Sequence, residues 1–171
     1  MMIRLHWFTV HGVYLLTQFA LLVAGFVAFV STPLVFDHPM PPGVPWGAFA
    51  LSGFSLFANG IIVSTVFSSQ QPNALMTDES RMNIRRAILL VSALFAASFA
   101  AADWAFAVSL RKYGSIWSER AASGVAGVAS FVALAALVVD IWKICADASE
   151  ARSAELFDQE QLNDVEPFID I

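Results

Sequence analysis

Four long stretches of this chain carry no charge at all. No Asp, Glu, Lys or Arg occurs between Arg4 and Asp37, Asp37 and Asp78, Arg86 and Asp103, or Arg120 and Asp140. A helix on a water-soluble surface needs a polar face that recurs with every turn, and these intervals cannot supply one. Composition agrees: 13% of the 171 residues are charged, against about 25% in an ordinary soluble domain. The chain reads as an integral membrane protein.

Crossing about 30 Å of hydrocarbon takes roughly 20 helical residues. Four segments qualify: about Trp7 to Val30, Trp46 to Ser68, Ala87 to Leu110, and Ala121 to Ile141. None alternates apolar and polar residues as a membrane β-strand does. Backbone groups in hydrocarbon must satisfy one another, so the prediction is an all-α, four-helix transmembrane bundle. It would occupy residues 1–145, with residues 146–171 as a short acidic cytoplasmic tail. The first span reads as an uncleaved signal anchor, since its apolar run is long for a secretory signal.

The loops punctuate this scheme. Five of the seven prolines (Pro33, Pro39, Pro41, Pro42, Pro45) fall between spans one and two and predict a stiff turn. Gln70, Gln71, Pro72 and Asn73 form a polar breaker. Thr77-Asp78-Glu79 then reads as a helix start, with an N-cap and first-turn acids. Gly114 and Ser115 break the chain between spans three and four. Trp7, Trp46, Trp117 and Trp142 fall near span ends, where an aromatic belt is expected. Arg4, Arg81, Arg85, Arg86, Lys143 and Arg152 lie on the side of the termini, against Arg111, Lys112 and Arg120 on the other. That bias predicts cytoplasmic termini.

Polar side chains within the spans are the candidates for function, because each is costly unless paired. His11, Tyr14, Gln18 and Gly25 share one face of span one, and Ser52, Ser55 and Asn59 share one face of span two. Asp103 stands on a stripe with Ala96, Ala100 and Ala107. Depth counting pairs Gln18 with Asn59 and Asp103 with Ser52. A lone carboxylate such as Asp103 can serve proton transfer or simply lock the bundle. With no second acid expected inside the membrane, locking is the preferred reading. Ser123-x-x-x-Gly127 and Ala122-x-x-x-Ala126-x-x-x-Ser130 allow close packing of spans three and four. The phenylalanines at 19, 26, 29, 54, 57, 95, 99 and 131 would fill gaps or face lipid.

Other chemistry finds little support. The opening Arg4-Leu5-His6-Trp7 resembles the start of the first helix in bacterial cytochrome b561-type proteins, where a His-Trp pair begins a haem-ligating span. His6 and His11 share a helix and His38 lies in a loop, so bis-histidine haem within one chain is not expected. No nucleotide, phosphate or nucleophile–base motif appears. No cofactor, metal, catalytic residue or nucleic-acid partner is predicted. Cys145, beside Trp142 and Lys143, is a candidate for S-palmitoylation or a small residue ending the helix. The tail holds eight of the fourteen acidic residues between Asp147 and Asp170. The run from Ala146 to Leu156 has helix formers, and Asn163 to Ile171 reads as extended, with Phe168 and Ile169 as candidate docking residues.

Four spans, cytoplasmic ends, short cysteine-free outer loops, Asp103 and an Ala/Gly-rich fourth span together look like MARVEL-type tetraspan proteins. The resemblance covers Trp7 to Ile141 as architecture. It implies a non-enzymatic role in membrane organisation or trafficking, with lateral helix packing and an acidic tail that recruits cytoplasmic partners. The chain departs from related plant tetraspans, whose span one supplies a charged partner for the Asp of span three; Arg4 lies too far from Asp103. Two alternatives stand beside this reading: an accessory subunit of a larger respiratory, photosynthetic or transport complex, and a small ion- or proton-coupled transporter using Asp103.

Overall fold

A computed structural model describes residues 2–31, 43–69, 78–114 and 116–165. It contains four α-helices: α1 (Met2–Ser31), α2 (Gly43–Ser69), α3 (Asp78–Tyr113) and α4 (Trp117–Val165). All four are long and apolar enough to cross a membrane. Helix α3 begins at Asp78, well before the Arg85-Arg86 pair, as the first-turn acids predict. It ends where the Gly114 N–H donates to the Leu110 carbonyl at 2.8 Å. A side chain at Gly114 would collide with that same carbonyl oxygen. Pro45 sits in the first turn of α2, where a missing N–H costs nothing. Helix α4 continues unbroken past residue 146 and through Val165, so residues 163–165 are helical rather than extended. The loop prolines 33, 39, 41 and 42, His38, the breaker at 70–73, Thr77, Ser115, Phe168 and Ile169 lie outside the described residues.

The inward positions recur with alternating spacings of three and four. On α1 they are Trp7, His11, Tyr14, Gln18, Leu21, Gly25 and Ala28. On α4 the series Glu119, Ala122, Ala126, Ala129, Ala133, Ala136, Asp140, Lys143 follows the same rule. A spacing that averages about 3.5 keeps one seam facing inward only if the helices supercoil left-handedly. Each helix packs on the next and α4 closes the ring on α1. Trp7, Val66 and Leu89 form one end layer, at the termini. Ala28, Leu110 and Ala122 form the far one, so successive helices run antiparallel.

Polarity is reversed relative to a soluble bundle. His11, Gln18, Ser52, Ser55, Asn59, Ser92, Asp103 and Asp140 are buried, while Leu16, Phe57, Leu94 and Phe131 point outward, each more than 60% exposed. An exterior of that kind fits hydrocarbon, and the interior retains the polar groups that hydrocarbon would not solvate. The architecture is that of a multi-pass membrane bundle.

The small residues expected in span four divide by direction. Ala122, Ala126, Ala129, Ala133 and Ala136 fill the interior. The hydroxyls of Ser123 and Ser130 donate to the carbonyls of Ala107 and Ala100 on α3, both at 2.8 Å. Across the bundle, Gly25 sets the approach of α1 to α2, because a Cβ there would lie 3.0 Å from the Phe49 backbone N. Backbone cannot yield as a side-chain tip can. Gly25→Val should therefore lower stability by about 1–3 kcal/mol, read from denaturation in detergent, while Gly12→Ala, which meets nothing within 4 Å, should be nearly neutral.

Candidate functional site

The densest polar cluster lies toward the termini end and is centred on Asp140. The Trp7 indole N–H donates to Asp140 Oδ1 at 2.6 Å, and the Ser92 hydroxyl donates to Oδ2 at 2.6 Å. With the serine proton so committed, His11 Nε2, 3.3 Å from Ser92 Oγ, is the donor in that contact. The same nitrogen is 3.5 Å from Asp140 Oδ2. The His11 ring stacks on Trp7 with centroids 4.0 Å apart, and Lys143 Nζ lies 4.8 Å from the Trp7 ring centroid. Helical spacing builds the cluster: Trp7 and His11 are one turn apart on α1, Asp140 and Lys143 one turn apart on α4, and Ser92 comes from α3.

This arrangement corrects three expectations. Trp7 is fully buried and is no interfacial anchor; its N–H belongs to Asp140. Trp46, Trp117 and Trp142 are exposed, as belt positions require. Asp140 and Glu119 are further buried acids, where Asp103 alone was expected. Lys143 is buried too, so it is drawn inward rather than left at the boundary. The signal was present in the sequence: extending the Ala122–Ala126 stripe by threes and fours reaches positions 140 and 143. Span-end counting overlooked it because a charge near a helix end looks solvated.

One to two turns farther along α1, the Tyr14 hydroxyl lies 3.1 Å from Ser55 Oγ on α2. The Asn59 amide donates to the Ser55 carbonyl at 2.9 Å and to its hydroxyl at 3.3 Å. Beyond it, the Gln18 amide donates to Asp103 Oδ2 at 2.6 Å, crossing the bundle diagonally from α1 to α3. Asp103 Oδ1 and Gln18 Oε1 have no hydrogen-bond partner.

The expected pairs Gln18–Asn59 and Asp103–Ser52 therefore do not form. The Tyr14–Ser55 contact fixes the register of the antiparallel α1 and α2, so moving from Tyr14 to Gln18 moves away from Asn59. Ser52 lies in the direction of Gln18, but its hydroxyl donates to the Ala48 and Phe49 carbonyls of its own helix.

Toward the far end the polar file gives way to apolar layers. Beyond Asp103 come Leu21, Ala107, Ala126 and Ala129, then Ala28, Leu110 and Ala122. At the termini end Trp7 packs with Val66 and Leu89, while buried Lys143 carries the polar groups one turn farther along α4. Nearby, Arg85 Nη2 pairs with Asp147 Oδ1 at 3.2 Å and Arg86 donates to the Asp147 carbonyl at 3.1 Å, tying α3 to α4. Among the described residues no three His, Cys, Asp or Glu side chains converge as metal ligands. Cys145 is exposed and free. No protein family matches the chain, and no similar curated protein or solved structure is found.

Two substitutions weigh these contacts. Trp7→Phe strands one carboxylate oxygen and should cost about 1–3 kcal/mol. Asp140→Leu strands the Trp7 and Ser92 donors together and should cost more, about 2–6 kcal/mol. Both are read as shifts of the unfolding midpoint in detergent. For the diagonal pair, a double-mutant cycle of Gln18→Leu and Asp103→Leu should give a coupling of about 0.6–1.7 kcal/mol. Additive losses would show that the 2.6 Å contact contributes nothing to stability.

Proposed function

We propose that the chain is a non-enzymatic tetraspan of the MARVEL type that organises membrane by lateral packing, with its acidic C-terminal segment as the contact for cytoplasmic partners. The observation that supports this reading is a bundle whose helices are interlocked by interior hydrogen bonds. The chain still departs from the plant tetraspans, whose span one offers a charged partner to the Asp of span three; here the neutral amide of Gln18 meets Asp103. Both termini are then cytoplasmic, and Phe168 and Ile169 are the tail residues offered for docking.

The polar file also supports an interlocking role. Its hydrogen bonds join α1 to α2, α3 and α4, and apolar layers lie beyond it toward the far end. A conducting path needs polar groups or water that reach both surfaces.

Purification of the native protein in mild detergent tests the proposal. Self-association, or recovery with other membrane proteins in variable ratio, is the expected result. A fixed-stoichiometry complex holding a pigment or redox centre would instead make the chain an accessory subunit. A proton or ion flux in vesicles that Asp103→Asn abolishes while assembly survives would make it a transporter. Topology has its own test: a membrane-impermeant maleimide should label Cys145 only from the cytoplasmic side.

A further inference from the structure

Toward the far end of the bundle, the lipid-facing side of α3 and α4 carries a groove made of two adjoining chambers of about 310 and 420 Å³. Trp104 and Phe131 line both chambers, their rings 6.1 Å apart and nearly perpendicular. The upper chamber opens beside Arg111, and the lower runs down to Ala97 and Leu137. From Arg111 to Ala97 the groove follows α3 for about 21 Å at 1.5 Å per residue. One leaflet of hydrocarbon is about 15 Å deep, so the groove reaches from a membrane boundary past the midplane.

Its ends differ in chemistry. The lower chamber is almost wholly apolar, while the mouth presents one guanidinium. Arg111 is exposed and has no carboxylate partner among the described residues. Gly124 and Gly127 line the upper chamber, and a Cβ at either would meet nothing within 4 Å. These glycines hold space open toward lipid rather than admit a neighbouring helix of the same bundle.

We propose that this groove is a phospholipid site: an acyl chain lies along Gly127, Trp104 and Phe131, and the phosphate diester is met by Arg111. An arginine presents a planar fork of donors that can meet two phosphate oxygens at once. A flexible chain can pass two rings that stand more than half exposed. A second helix would have to approach to about 8–10 Å across a face from which those rings project. This site is independent of the proposed organising role.

Native mass spectrometry of the full chain tests it, with phosphatidylglycerol and diacylglycerol of the same acyl composition as probes. Phosphatidylglycerol should be retained with a definite stoichiometry. Gly127→Leu fills the groove from within and should lower its retention by roughly tenfold or more, with helix content by circular dichroism unchanged. Gly124→Leu provides a second filling variant should the first perturb folding. Arg111→Gln should remove the preference for phosphatidylglycerol over diacylglycerol. Equal retention by wild type and both filled variants would overturn the site. So would a homodimer that either Leu substitution dissociates, since the groove would then hold a second copy. Loss of diacylglycerol and phosphatidylglycerol in equal measure on Arg111→Gln would remove the phosphate from the proposal.

Discussion

Asp140 joins three helices because a carboxylate in a bundle surrounded by hydrocarbon has no water to accept from. It takes its donors from Trp7 on α1 and Ser92 on α3, with His11 stacked close by and Lys143 one turn farther along α4. Each of those residues must lie at one depth and on one face for the acid to be accommodated. The orientation of α1 against α3 and α4 at the termini end follows from that demand. Apolar packing alone would leave rotation and sliding of such helices weakly specified, since lipid solvates Leu and Phe on either face equally well.

The span count was legible because charge is the property a bilayer excludes most strongly, and the charge-free intervals mark all four helices. The start of α3 at Asp78 was legible for a related reason: acids favour a helix N-terminus whatever surrounds it. Partner choice among the polar side chains was not. It depends on the register between antiparallel helices, which Tyr14 and Ser55 set by touching across α1 and α2. Counting inward from estimated span ends can misplace a residue by a turn. That is enough to assign Gln18 to Asn59 rather than to Asp103. Asp140 was missed by the same route, although the stripe it completes could have been followed through Ala133 and Ala136.

Interior and exterior thus divide the labour of the sequence. Polar groups inside select which helix faces which, and the alanines between them let the backbones approach. The outward glycines of α4 leave room that no residue of the bundle fills. Gln18 and Asp103 retain one unpartnered oxygen each. The Asp140 carboxylate is more fully satisfied, since both of its oxygens accept, although His11 Nδ1 beside it also lacks a partner.

The alternating three-and-four rhythm has a bearing on how a chain like this can vary. Adding or deleting one residue within α4 would turn everything beyond it by about 100°, carrying Asp140 and Lys143 out of the seam and into lipid. A change of three or four residues is absorbed as a local over- or underwinding, and one of seven restores the seam. Length polymorphism should consequently be confined to the connections, or enter the helices only in those quanta.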